Sequence, residues 1–338
     1  MFSLIRVALL SKWHVHAVDY AKQAMENENI SVEVVWDEIH ERGIEWGTEL
    51  GVRFEEDLEK VLSDSSIDGV IITNPTSDHT SIMVEAAKHG KHIFTEKVLA
   101  LTVEECDEIL SEVEKADVEF MISLPRLVEE YYLYAQEVVD KGWLGQLSTI
   151  RCRVAHNGAV STELHPGGWL PQHFYDREKT GGGALIDLGA HPIYLTNRLA
   201  GPPKALTARM QSVFNPDVDD QSIVFVEYDS GILGVLETSF VSAGSPFQLQ
   251  VYGTEGTLLI EQNEVRIKSV QFNSEDWVVP EELPVPLPMP MEQWVASIEH
   301  GQAPTITKED ALELTLVNQA AIISNEEERR VELKQIRR

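Results

Sequence analysis

Asp68-Gly69-Val70-Ile71-Ile72-Thr73-Asn74-Pro75-Thr76-Ser77-Asp78-His79 is an apolar run that stops in a polar, proline-containing turn. Helical spacing follows over Ser81–His89, and a second apolar run, His92–Thr95, ends in Glu96-Lys97. Strand, helix and strand within about 30 residues is the βαβ unit, whose two strands must lie parallel. Working outward, the same alternation continues on both sides. Upstream, Leu4–Leu10 reads as a buried strand, Val15–Glu26 as a helix, Val32–Trp36 as a strand and Asp57–Leu62 as a short helix. Downstream come a helix over Val103–Lys115 and a strand over Glu119–Leu124. Residues 1–124 are therefore expected to form a doubly wound, Rossmann-type α/β domain, with its ligand beyond the carboxyl ends of the strands.

After Pro125 the texture changes. A helix over 129–141 stops at Gly142, and extended segments follow at Leu147–Ala155, Ala205–Val213, Gln221–Tyr228, Ile232–Phe240, Gln248–Tyr252, Thr257–Gln262 and Glu264–Val270. Turn signals such as Asp229-Ser230-Gly231 separate them, which predicts a largely antiparallel sheet. One helix, Gly183–Leu199, interrupts the series. A proline-rich strap over Pro280–Pro290 and helices at Met291–His300 and Lys308–Asn325 complete it. Residues 125–338 thus read as an α+β domain with a large, mostly antiparallel open sheet.

Composition narrows the function. A formal net charge of −29 disfavours nucleic acid and anionic membrane surfaces, both of which attract clustered Lys and Arg. No apolar run approaches the length of a spanning helix. Two cysteines, Cys106 and Cys152, make no disulfide framework and suit a reducing compartment. With no leader pattern at the start, the expected location is the cytoplasm.

The first strand-to-helix loop of a dinucleotide domain normally carries G-x-G-x-x-G. Here it is Ser11-Lys12-Trp13-His14-Val15-His16, with no glycine. What remains is a helix N-terminus that attracts phosphate, to which Ser11 and Lys12 could add a hydroxyl and a charge. For Lys12 and His14 a solvated loop is the competing reading. Asp37, after the second strand, could accept bonds from a ribose and repel a 2′-phosphate, favouring NAD over NADP. A helix cap is the competing reading.

The run from Asp68 to His79, together with Ala86-Ala87-Lys88-His89-Gly90-Lys91-His92-Ile93-Phe94-Thr95-Glu96-Lys97, resembles the Gfo/Idh/MocA oxidoreductases. That family includes glucose–fructose oxidoreductase and inositol dehydrogenase. The resemblance continues at Gly181-Gly182-Gly183-Ala184-Leu185-Ile186-Asp187-Leu188-Gly189-Ala190-His191 and ends in Asn318-Gln319-Ala320-Ala321-Ile322-Ile323-Ser324. It implies a dehydrogenase or reductase that interconverts a secondary alcohol and a ketone on a sugar, inositol or related polyol. It also implies NAD, with NADP the less favoured cofactor, bound at Ser11, Lys12, Trp13, His14, Asp37, Thr73, Asn74, Pro75, His79, Glu96 and Lys97. The catalytic set it implies is Lys97, Asp187 and His191. Elementary chemistry agrees. Asp187 and His191 are i and i+4, and on a helix would share a face with Cβ atoms roughly 5–6 Å apart. A histidine can remove a hydroxyl proton near neutral pH, and an ammonium can stabilise the alkoxide. A capping aspartate and a core histidine are the alternative.

Three departures from the family pattern stand out: the glycine-free first loop, Val98 in place of proline after Glu96-Lys97, and Tyr194 where many relatives carry aspartate. Substrate contacts are expected from Arg126, His156, Trp169 and His173, in polar loops that suit a polyhydroxylated ligand. His156, His165 and His173 lack the short spacings of zinc signatures, so no metal site is expected. A sheet with one open face suggests a homodimer or homotetramer. Two other readings stand beside dehydrogenation. One is a lyase or glycosidase-type enzyme that recycles its NAD, and the other a non-catalytic sensor of dinucleotide or sugar.

Overall fold

The computed structural model describes residues 4–214, 217–272 and 276–337. The chain divides into two compact units: Met1–Ser123 with Pro288–Leu312, and Leu124–Leu287 with Glu313–Arg338.

The first unit runs β1 (Ile5–Leu10), α1 (Ala17–Glu26), β2 (Ile30–Trp36), α2 (His40–Leu50), β3 (Arg53–Phe54), α3 (Leu58–Ser63), β4 (Gly69–Ile72), α4 (His79–Lys88), β5 (His92–Thr95), α5 (Val103–Ala116) and β6 (Phe120–Ile122). Its six strands are all parallel, in the order β3-β2-β1-β4-β5-β6. The Rossmann-type expectation is met. Val7, Leu10, Val70, Ile72, Ile93 and Phe94 are fully buried, as strands covered on both faces require. The order reverses between β1 and β4, so the loops that follow these two strands flank the crevice where such sheets bind ligands.

Helix α2 has no counterpart in the sequence reading, because Gly43 and Gly47 look like helix breakers. Their absent side chains have a packing purpose. A Cβ on Gly43 would lie 2.2 Å from the Phe54 ring, and one on Gly47 would lie 3.1 Å from the Val52 carbonyl oxygen. Glycine lets β3 lie close under the helix.

The second unit begins with α6 (Glu130–Asp140) and β7 (Leu147–Ala155), then α7 (Arg177–Thr180) and α8 (Ala190–Ala200). Strands β8 (Pro203–Gln211), β9 (Gln221–Tyr228), β10 (Leu233–Ser239), β11 (Gln248–Gly253), β12 (Gly256–Glu261) and β13 (Glu264–Ser269) follow. The eight-stranded sheet has the order β13-β12-β11-β7-β10-β9-β8-β14, the last being a short edge strand at Val331–Glu332. Every pairing is antiparallel except β7 with β10, so the mostly antiparallel open sheet is as expected. Side chains alternate along β9. Ser222, Val224, Val226 and Tyr228 are buried, whereas Ile223 and Phe225 are exposed.

Two helices close the fold, α9 (Pro290–His300) and α10 (Lys308–Glu326). A division of the sequence at 124/125 puts α9 with the second domain, but Pro288–Leu312 belongs to the first unit. The physical reason is Trp294. It is fully buried, its ring centroid lies 5.8 Å from that of Phe94, and it fills the space over Gly69, where a Cβ would meet it at 3.0 Å.

Candidate functional site

In the first unit the glycine-free loop packs inward. Ser11 takes φ +73°, a left-handed conformation usually given to glycine, and is fully buried. Its Oγ accepts from the Trp13 amide at 3.0 Å and from Arg42 at 3.3 Å. Lys12 pairs with Glu49 at 2.6 Å and lies 6.0 Å over the Trp46 ring, so its charge is committed within the unit. Trp13 and His14 are buried. The loop is tied to the end of β4 by His14 N–H donating to Thr73 O at 3.1 Å and Thr73 Oγ1 donating to Ser11 O at 2.5 Å.

Asp37 is buried as well. It accepts from the Lys12 amide (2.8 Å), the Ile39 amide (2.7 Å) and Arg42 Nε (2.8 Å). It thus joins the first loop to α2 through the protein's own donors. His79, fully buried, faces the carbonyl oxygens of Val98 (3.0 Å) and Leu99 (3.1 Å) with Nδ1 and that of Asn74 (3.2 Å) with Nε2. It links the turn after β4 to the segment that carries Lys97, and burial lowers its pKa. Pro75 precedes the short turn that opens α4. The Lys97–Val98 peptide is cis.

Glu96 is the electrostatic centre of the unit. Its carboxylate is buried, accepts from the Tyr20 hydroxyl, and lies 3.0 Å from His16 Nδ1 and 3.8 Å from His14 Nδ1. Lys97, also buried, has Nζ 3.7 Å from Oε1. Burial opposes the charge on Glu96, but the two imidazoles and the Lys97 ammonium outweigh it and hold the pKa well below the usual carboxylate range. His14 and His16 entered the sequence reading as loop residues, and only the fold brings them to Glu96.

Two observations fit this unit to a dinucleotide. Helix α1 begins without a side-chain cap, which leaves its first turn to an anion. At the end of β4, Asn74 Oδ1 is buried with no hydrogen-bond partner in the protein. Both lie on the two loops that flank the sheet's reversal point.

In the second unit the expected helix Gly183–Leu199 is two pieces. The amides of Asp187 and Leu188 bond back to Gly183 O and Ala184 O, making a helical turn; α8 then starts afresh at Ala190 with Gly189 as N-cap. Asp187 therefore stands in the turn and His191 in the first turn of α8, both half-buried. The break comes where the Gly189 amide reaches back five residues to Ala184 O and the His191 amide only three to Leu188 O; the first piece is held by Asp219, whose carboxylate accepts from the amides of Gly183 and Leu185, each at 2.9 Å, and from Ser222 Oγ at 2.7 Å. A Cβ on Gly183 would lie 1.9 Å from the Asp219 carbonyl oxygen, so only glycine permits this approach.

His191 Nδ1 lies 2.7 Å from the Tyr194 hydroxyl. Arg126 donates to Tyr131 at 3.0 Å and stacks 4.7 Å from the Phe247 ring centre. Tyr194, which meets His191, is a residue the sequence reading noted only as a departure. Of the other substrate candidates, His156 stacks on Phe240 (5.1 Å, 8° between planes) and meets Trp169 at 4.6 Å. Trp169 is exposed, and His173 packs beside Phe174.

A doubly wound sheet with a capless helix start at its reversal point suits a dinucleotide. Two family models match, an oxidoreductase family with an NAD-binding Rossmann fold over residues 13–124 and a GFO/IDH/MocA C-terminal domain over residues 132–259. The chain belongs to the Gfo/Idh/MocA oxidoreductases, and its cofactor is NAD. It is 28% identical over 291 residues to scyllo-inositol 2-dehydrogenase (NAD(+)) of Bacillus subtilis (strain 168), covering 82% of this chain and 81% of that protein. Myo-inositol 2-dehydrogenase of Thermotoga maritima is 23% identical over 295 residues, covering 83% and 84%. Levoglucosan dehydrogenase, solved in complex with NADH and L-sorbose, shares the fold at a TM-score of 0.84 and 20% identity, over 98% of this chain and 99% of that one. No helix among the described residues is long and apolar enough to cross a membrane.

Proposed function

We propose that this oxidoreductase interconverts a secondary alcohol and a ketone on an inositol, sugar or related polyol. The observation that carries the reading is the contact between His191 and Tyr194. When Nδ1 holds a proton and donates it to the Tyr194 oxygen, Nε2 keeps its lone pair and the imidazole is a base for the substrate hydroxyl. Bound NAD supplies the hydride acceptor. Lys97, buried beside Glu96, is assigned to the developing alkoxide, and Asp187 to orienting the ensemble. Arg126, His156, Trp169 and His173 are assigned to substrate hydroxyls. Cofactor contacts are assigned to Thr73, Asn74, Pro75 and the start of α1.

The test is NAD reduction across a panel of inositols and sugars. One member of the panel should turn over, and His191→Ala should lower its kcat by about 10²–10⁴-fold. A panel with no turnover, or an unimpaired His191→Ala variant, overturns the reading.

The exposed Ile223, Phe225 and Leu233 on the sheet support a homodimer or homotetramer, for which light scattering is the measurement. Two buried cysteines that form no disulfide support a reducing compartment such as the cytoplasm.

A further inference from the structure

We propose that His14, His16 and Glu96 bind a divalent first-row transition metal ion, with zinc the expected occupant. One ligand atom from each side chain lies within 4.8 Å of the other two, and this is the one such trio among the described residues. Two imidazoles and a carboxylate suit this class of ion; all-oxygen sites suit magnesium or calcium.

Ligands held about 2.0–2.2 Å from a tetrahedral ion stand roughly 3.4 Å apart. The His16–Glu96 and His14–Glu96 separations, 3.0 and 3.8 Å, bracket that spacing. His14 Nδ1 accepts the His16 amide at 3.2 Å, and ligation through that nitrogen replaces this bond.

Two further features point to a cation. Glu96 Oε1 is buried and makes no hydrogen bond, although the Lys97 ammonium stands 3.7 Å away, so its lone pairs remain open to an ion. The Tyr20 hydroxyl donates to Oε2 and fixes the carboxylate, the kind of outer support that ligating groups receive elsewhere. Entry is open, because the His16 side chain is 41% exposed. Three protein ligands leave a position for water or an anionic oxygen. The expectation of no metal weighed only His156, His165 and His173; two of this trio lie on the first loop, where the family pattern has glycine, and the third follows β5.

The inference is independent of the proposed reaction, because its test contains neither dinucleotide nor polyol. The full chain is stripped with chelator, titrated with Co²⁺ and followed by the visible absorption of nitrogen-ligated cobalt, with Zn²⁺ as competitor. One ion per chain is expected. His16→Ala and Glu96→Gln should each weaken binding by at least about 100-fold, since even outer-support residues cost 10–100-fold. His40→Ala, beside Glu56 on α2, should leave it unchanged. Circular dichroism confirms that each variant is folded, and His16, half-exposed, is the substitution least able to disturb the fold. Absence of stoichiometric Co²⁺ binding overturns the proposal, as does equal binding by wild type and folded His16→Ala.

Discussion

The His191 imidazole and the Tyr194 hydroxyl meet at 2.7 Å in the first turns of α8. Tyr194 is fully buried, and burial together with its surroundings raises its pKa well above the ordinary value, so it stays protonated and neutral. A neutral hydroxyl three residues on from the histidine holds the imidazole plane without adding charge. Aspartate at this position would add one.

Tyr194→Phe removes that hydroxyl and keeps the ring. Loss of one hydrogen bond of about 1 kcal/mol predicts a roughly fivefold fall in kcat/KM. Tyr194 is fully buried, so loss of this bond should also lower the melting temperature. Steady-state kinetics beside a thermal melt reads both. Unchanged kcat/KM would show that Tyr194 does not position the base.

Asp37→Ala tests what that carboxylate does. All three of its recorded partners belong to the protein. Removing it leaves Arg42 Nε and two amides without their acceptor, although Glu38 still holds the guanidinium at 2.7 Å, which predicts a loss of about 1–3 kcal/mol in urea unfolding. A variant as stable as wild type but altered in its preference between NAD and NADP would return Asp37 to the ribose.

Legibility in the sequence followed locality. Strands β1, β4 and β5 were readable because burial on both faces leaves continuous apolar runs, and β9 because its β-branched and aromatic run Ile223–Val226 stops before the turn signal Asp229-Ser230-Gly231. Helix α2 was hidden because Gly43 and Gly47 serve packing against β3, a tertiary reason with no local signature. The placement of α9 was hidden likewise, since nothing near Trp294 in sequence tells that its ring fills the space over Gly69. Of the proposed site residues, Lys97, Asp187 and His191 were picked out by spaced motifs. Tyr194, Asp219 and the trio around Glu96 were not, because each acts through partners tens of residues away or through a contact the motif does not name.

Gly69→Ala probes the α9 placement. The added methyl would press on the His92 carbonyl oxygen and the Trp294 ring, both at 3.0 Å. Overpacking of this kind costs about 1–3 kcal/mol. Trp294→Ala, which empties the same space, should cost about 3–5 kcal/mol. The double variant should lose less than the sum of the two, because the alanine methyl no longer meets the indole. Strict additivity in denaturant melts would place Trp294 elsewhere.

Asp219 gives a pH-dependent prediction with a definite sign. Burial raises its pKa above the ordinary 3.8, against the lowering effect of Ser222 and the Leu185 and Gly183 amides. The folded protein therefore holds this proton more tightly than the unfolded chain, so the contribution to stability is fullest below pH 3.8 and is lost as pH rises through the raised value. Asp219→Asn cannot titrate. Its amide also offers only one oxygen to the two backbone amides that start the Asp187 turn, which predicts a loss of about 1–3 kcal/mol at neutral pH. The wild-type advantage over Asp219→Asn should accordingly be larger near pH 4 than near pH 7 in urea melts. An advantage that grows with pH would mean that hydrogen bonds to the ionised carboxylate outweigh its burial, and that the turn carrying Asp187 is held by a stable charge.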